Sequence, residues 1–558
     1  MKNKFIIVDF SFAILLIVYF FYSFFRVTSD IPINDDYAVL ENFTDIINSN
    51  SSFEKIKLIF KQHNEHRILY DKLWFFIDYK LFNQLNFNHL SFIGNLSLVG
   101  IFIFFFYKFK NKTTNSFFLL PVAVLIFNFS FYENITFSMA ALSNFTVVLF
   151  SLLSIHFITK FELNKRDFGL SVLFLILAIF TQGAGIFLIL ITISILIYKK
   201  EKKYLYQLLI ISFALILLYF FDYHKPFNSP EILETLRNYK FRSFLFSFSF
   251  LGNILSKYLI FTNDTNESLM LSTGVGFLFF IFYIYTIKIK YYKKNLFVFS
   301  VMTLIILISF VTGVTRSQLG IDMSIASRYR INSSIFLICV LIFFNENVSR
   351  KKKYLNGILL LCSVGYYFGI NLPQREYLEF RKKQNYFGVM FYQNGNYNYL
   401  NGFEQEYYDK VLVKAKESQT YFLPTINKVN NELKFSKRVE INPDSYQNKS
   451  IMSNIDKIEK LKNSIYIEGW AFIDSLETND QKVFLAVEDT IQKKKIFFEA
   501  QKVKRYDLNP YFNKNNLEYS GFIFRIKDED LPNAYKKLYL LIENNSIKRI
   551  INPNKLIK

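Results

Sequence analysis

Two cysteines and five histidines are all the thiol and imidazole that this 558-residue chain contains. Cys339 and Cys362 both fall inside apolar stretches, so they read as small core residues and no disulfide framework is available. Histidine is too scarce to complete a multi-ligand metal site. His63 and His66 flank Glu65 at a spacing that could hold a metal, or that marks the start of a surface helix, but the HExxH arrangement is absent. Charge is nearly missing from a series of apolar runs. No small-residue cleavage site follows Phe25 and further apolar runs come after it, which excludes a cleaved signal peptide.

What is present is hydrophobic bulk: 52% of residues are hydrophobic and 19% aromatic, with 68 Phe. Lipid accepts that much Phe, whereas a soluble domain would have to hide it. The net charge of +21 is not a nucleic-acid footprint, because much of the excess lies in short Lys/Arg clusters between apolar runs. The expected partner is the lipid bilayer, with no nucleic acid.

The runs are Phe5 to Phe25, Leu90 to Tyr107, Ser116 to Phe131, Ala140 to Thr159, Phe168 to Thr181, Gly185 to Tyr198, Tyr204 to Phe221, Leu269 to Ile287, Leu296 to Thr312, Ile331 to Phe344 and Tyr354 to Ile370. They predict about eleven transmembrane helices. Lys2 and Lys4 precede the first. Lys108, Lys110 and Lys112 follow the second, and Lys160, Lys165 and Arg166 the fourth. Lys199, Lys200, Lys202 and Lys203 follow the sixth, Lys288, Lys290, Lys293 and Lys294 the eighth, and Arg350 to Lys353 the tenth. By the positive-inside rule the N-terminus is cytoplasmic, and everything after Asn371 is external. The fifth and sixth runs are short, so their joint, Thr181-Gln182-Gly183-Ala184-Gly185, is expected either to sit recessed as the floor of an outward-facing cavity or to be an ordinary turn.

Ionisable residues collect in the external loops. Asp35 and Asp36 follow the first run at a helix start, where they serve as caps or as catalytic carboxylates. Gln62-His63-Asn64-Glu65-His66-Arg67 precedes an apolar helical pattern expected to lie along the membrane surface. Glu133 stands alone between two apolar runs, either solvated at the interface or put to use. Arg316, and then Arg328-Tyr329-Arg330, break the charge bias of this face. Guanidinium groups there suit phosphate oxygens, the alternative being interfacial snorkelling.

The acidic pair, the His/Glu/Arg cluster, the Glu133-Asn134 pair and Ser327-Arg328-Tyr329 before a helix resemble bacterial integral-membrane glycosyltransferases of the C superfamily, over most of residues 1–371. The resemblance implies a sugar donor carried on a polyprenyl phosphate and an envelope glycan, lipid or protein acceptor. It places the reaction on the external face of the bacterial cytoplasmic membrane, with inversion at the anomeric carbon. It gives Asp35 or Asp36 the role of general base or metal holder and Glu133 the second acidic position. Glu65, His66, Arg67, Gln182, Arg316, Arg328, Tyr329 and Arg330 are the expected substrate-binding residues. Some relatives carry Asp-x-Asp where this chain has the lone Glu133, so a divalent metal is an option and not a requirement. A flippase of lipid-linked glycans and an envelope glycan polymerase are the competing readings.

Beyond the membrane part, residues 372–450 are polar and expected to be helical in pieces, for instance Phe403 to Glu417. From Ile465 the period becomes two. Ile465 to Phe472, Lys482 to Glu488, Lys495 to Ala500, Gly521 to Ile526 and Lys537 to Glu543 read as strands of a small β-sandwich within residues 451–558. Trp470, Arg505-x-Asp507 and Ser520-Gly521-Phe522 resemble an accessory β-domain of envelope-glycan proteins. Trp470 is expected either in the core or stacked on a sugar.

Overall fold

The computed structural model describes residues 2–109, 118–226, 231–256, 265–347, 352–395 and 405–557, apart from 475, 506, 515, 533–535, 545–546 and 554–555. Lys110, Lys112, Ser116, Arg350, Lys351 and Phe403 lie outside the described residues. The chain divides into two compact units. One is Met1–Glu379 with Gly402–Leu423, the other Phe380–Asn401 with Pro424–Lys558.

The first unit is helical and opens with α1 (Lys2–Val27), α2 (Asp36–Asn48), α3 (Ser52–Phe60), α4 (Leu69–Phe82), α5 (Phe87–Phe109) and α6 (Leu119–Ile126). Each apolar run of the sequence is helical over most of its described residues. Among the described residues, however, eight stretches, not eleven, are long and apolar enough to cross a membrane. They are Asp9–Val27, Phe87–Phe109, Leu119–Thr136, Ser138–Ile158, Lys202–Phe220, Asn266–Lys288, Leu296–Leu319 and Ser327–Asn347. The fifth and sixth runs form shorter helices, Lys165–Ile179 and Gly183–Lys199, and the last belongs to a long helix, Lys352–Gln393. The helix Lys240–Leu251 was not anticipated: its lysine and arginine at the start interrupt the apolar pattern.

Polar side chains close the ends of these helices. Asn164 and Asn295 cap the N-termini of the helices that begin at Lys165 and Leu296, accepting from Asp167 and Val298 amides at 2.9 and 3.1 Å. Asp9, buried in α1, accepts the amides of Leu119 and Leu120 at 2.8 and 2.9 Å, so a carboxylate meets the positive end of α6. The stretch Ser138–Ile158 contains a π-helical turn, Ala141–Phe145. Gly94 of α5 packs on that turn so closely that a Cβ there would lie 2.5 Å from Ala141.

The 372–450 region is not a free-standing linker. Its helix Gln405–Glu417 belongs to the first unit, with Tyr408 stacked on Tyr37 at 4.0 Å and Tyr407 bonded to Glu41 at 2.7 Å. Position 371, the expected boundary, lies inside the helix Lys352–Gln393.

Among its described residues the second unit has ten strands: β1 (Arg438–Val439), β2 (Met452–Leu461), β3 (Ser464–Phe472), β4 (Lys482–Asp489), β5 (Lys495–Glu499), β6 (Gln501–Val503), β7 (Gly521–Lys527), β8 (Lys536–Asn544), β9 (Ile547–Ile551) and β10 (Leu556–Ile557). One sheet runs β1-β5-β4-β8-β10 with β9 also on β8, and the other runs β2-β3-β7-β6. Alternate residues explain the layering. Ile465, Ile467 and Ala471 of β3 meet Val483, Leu485 and Val487 of β4 in one core, which makes a two-sheet sandwich. The other face of β3 is covered too: Phe387 and Phe391 of the long helix pack on Tyr466. Trp470 is half-buried against Phe472 and Phe512, in a small cluster outside the main core. Arg505 grips both oxygens of Asp507 at 2.8 and 2.7 Å, and it also bonds Asp456.

Candidate functional site

The first unit encloses a cavity of about 870 Å3 with a polar mouth and an apolar interior. The mouth takes Glu65, His66, Gln182, Arg316, Arg328 and Tyr329 from four separated parts of the chain. Val147, Leu152, Ile155, Val301, Leu304 and Ile308 line the interior. Val301 and Arg316 both face the cavity from one helix, fifteen residues apart. At 1.5 Å per residue the slot is therefore roughly 22 Å deep along that helix.

The segment between α3 and α4 does not begin a helix at His66 and does not pair its histidines for a metal. His63 and His66 exchange backbone bonds at 2.8 Å in both directions across a turn in which Asn64 takes a left-handed φ of 47°. This tight hairpin presents Glu65 to Arg316, and the two form an ion pair at 3.0 Å. His66 rests against the turn at Gly183, where a Cβ would come within 2.7 Å of Nδ1. Burial pushes the His66 pKa below the ordinary imidazole value, which favours the neutral ring. Among the described residues no three His, Cys, Asp or Glu side chains converge on a possible metal position.

The adjacent aspartates have different surroundings. Asp35 is exposed beside the cavity, within electrostatic reach of Arg328, His66, Glu65 and Arg316. Partial desolvation raises its pKa above the usual carboxylate value, and Arg328 opposes that rise most strongly. Asp36 is only 1% exposed and does not open onto the cavity. Its oxygens accept from the Ile33 amide at 3.2 Å, the Met139 amide at 3.0 Å and the Ser138 hydroxyl. Asp36 therefore ties the first loop to the helix start at Ser138, a structural position that does not suit a catalytic base.

Glu133 likewise is not among the residues that line the cavity. Its Oε2 accepts the Ser327 hydroxyl at 2.7 Å and the Arg328 amide at 3.1 Å. The next residue, Asn134, donates to the Arg328 carbonyl at 3.1 Å. The Glu-Asn pair thus holds the peptide of Arg328 on both sides. Arg328 lies over the Tyr329 ring at 5.4 Å, and its buried Nε has no hydrogen-bond partner. Gln182 is joined to this assembly through Asn144, which in turn donates to Asn134 at 2.8 Å.

Two of the expected substrate arginines are structural. Arg67 donates to the carbonyls of Phe60, Tyr219 and Phe221, which lie at the C-terminal ends of α3 and of the helix Lys202–Phe220. Such carbonyls lack helical partners and carry the negative end of the dipole. Arg330, 1% exposed, is spent on Asn253, Ser130, Ser256 and Ile325. Asn144 was missed in the sequence. Its signal was a lone amide inside an apolar helix, which is costly to bury unless paired or used.

No protein-family model, no curated protein and no solved structure matches this chain.

Proposed function

We propose that the chain is an integral membrane glycosyltransferase that takes a sugar from a polyprenyl-phosphate donor and passes it to an acceptor hydroxyl at the membrane surface. The observation that carries this reading is the shape of the cavity: a deep apolar slot between helices ending in Arg316 and Arg328. That form fits a ligand with a long hydrocarbon chain and an anionic head. A flippase would need polar groups along its path, so the apolar inner wall supports transfer over transport.

In the proposed step Asp35 accepts the proton of the acceptor hydroxyl as the oxygen attacks the anomeric carbon. The bond from that carbon to the phosphate oxygen breaks, and the lipid phosphate leaves with the electron pair. Arg328 stabilises the departing charge, with Arg316 beside it steadied by Glu65. One displacement inverts the anomeric centre. The lysine-rich loops support a cytoplasmic N-terminus, with the site and the β-sandwich outside, in a bacterial cytoplasmic membrane. The acceptor class remains an envelope glycan, a lipid or a protein.

The test uses the full chain in lipid nanodiscs, given undecaprenyl phosphate carrying radiolabelled glucose, galactose, mannose, N-acetylglucosamine or arabinose, with membrane extracts as acceptor. Transfer of at least one label, lost in Asp35→Asn, is expected. Intact donors with every sugar, together with an unlabelled acceptor pool, overturn the reading.

A further inference from the structure

The amides of Gln182, Asn144 and Asn134 form a chain whose direction is fixed from one end. Asn134 Nδ2 donates to the Arg328 carbonyl at 3.1 Å, and a carbonyl oxygen can only accept. Asn134 Oδ1 must then be the acceptor for Asn144 Nδ2, at 2.8 Å. Asn144 Oδ1 in turn receives Gln182 Nε2. Flipping one amide would set oxygen against oxygen or NH2 against NH2, so the orientation does not depend on telling the two atoms apart. Gln182 Oε1 is the remaining end. Gln182 lines the cavity, and among the described residues no protein group donates to this oxygen.

His66 stands beside the same turn. Gly183 leaves room for its ring, and His66 Nδ1 is buried without a partner. A neutral imidazole has one nitrogen that accepts and one that donates. Gln182 Oε1 thus remains an unoccupied acceptor, and the His66 imidazole an incompletely bonded ring, on the cavity that Arg328 also lines, where a group rich in hydroxyls would meet them.

We infer that Gln182 Oε1 and the His66 imidazole read hydroxyl groups of the donor sugar, and that Asn144 and Asn134 are positioning residues that set the Gln182 acceptor and link it to the peptide carrying Arg328. This rests on the donor being a glycosyl lipid phosphate. It assigns the sugar and the phosphate to separate residues, which makes the two contributions measurable apart.

The experiment measures binding of the full chain in nanodiscs to bare undecaprenyl phosphate and to the five glycosylated forms named above, by native mass spectrometry. At least one sugar should improve binding over the bare lipid by about tenfold, the scale of one or two net hydrogen bonds. Gln182→Met and His66→Phe should each remove most of that gain while leaving bare undecaprenyl phosphate within about twofold of wild type. Asn134→Asp, away from the cavity lining, should also reduce the gain, because a carboxylate cannot donate to the Arg328 carbonyl. Arg328→Gln should weaken bare and glycosylated lipids alike. If Gln182→Met fails to insert, Gln182→Asn, which shortens the side chain and keeps the amide, must show the same selective loss. A sugar gain that survives both the Gln182 and the His66 changes overturns the inference alone. Failure of the wild type to bind even bare undecaprenyl phosphate overturns the glycosyl-lipid reading, and the inference with it.

Discussion

Glu133 Oε2 accepts the backbone N–H of Arg328 at 3.1 Å. A carboxylate so engaged orients the arginine and is poorly placed to take a proton from an acceptor. Glu133→Gln should therefore raise the KM for donor severalfold and leave the pH profile of kcat in place. A collapse of kcat by about 100-fold would instead mark Glu133 as the base.

Asp35 is the remaining candidate base. Asp35→Asn should cut transfer by about 100-fold or more without loss of membrane insertion. Because desolvation raises its pKa, kcat/KM should climb with pH through a midpoint above the ordinary Asp value of 3.8. Arg328 pulls that midpoint down, so in the residual activity of Arg328→Gln the acid limb should move to higher pH. An unmoved limb would separate the two groups.

Asp36 makes its contribution to stability. Burial raises its pKa from 3.8 to about 7 in the folded chain. An acid whose folded pKa exceeds its unfolded value adds stability that is fully present below the unfolded pKa and is lost as pH rises through the folded one. Wild-type thermal stability should accordingly fall between about pH 4 and pH 7, and Asp36→Asn should flatten that slope. Equal slopes in the two proteins would remove this account.

Arg330 and Arg328 should separate under the same substitution. Arg330→Lys leaves several buried carbonyl and hydroxyl oxygens short of donors and should destabilise the unit by on the order of 3 kcal/mol, read as a lowered melting temperature. Arg328→Lys should leave melting unchanged and weaken donor use, since it keeps the charge but loses the planar fork. The reverse pattern would exchange their roles.

Truncation tests the division of the chain. A protein ending after Leu423 keeps Tyr408 on Tyr37 and the Thr420 hydroxyl 2.9 Å from Thr44. It should still transfer sugar to a small soluble acceptor. One ending after Asn371 loses both contacts and should insert poorly. Equal activity in the two would show that the helix Gln405–Glu417 contributes little.

The helices and the main strands could be read from the sequence because each depends on local pattern: long apolar runs in one half, period two in the other. Ile465 to Phe472 was placed within a residue of β3. β2 was not read, as Asp456, Lys457, Glu459 and Lys460 blur its alternation, and a bulge between Ile455 and Lys457 shifts its register. The site was legible in its residue types but not in their duties. Asp35 and Asp36, or Arg328 and Arg330, are indistinguishable as letters. Which of each pair is buried depends on partners such as Met139 or Asn253, about a hundred and about eighty positions away, respectively.

The π-helical turn at Ala141–Phe145 gives the mouth of the cavity a dependence on chain length at a single point. Such a turn holds one residue more than an α-helical turn would. Removing one residue there would restore regular winding, and everything before it would swing by about 100° relative to the helix behind. Asn144 and Ser138 would no longer face Gln182 and Asp36 together, while hydrophobicity and span length would hardly change. A one-residue deletion could thus erase the site and leave an apparently intact membrane helix.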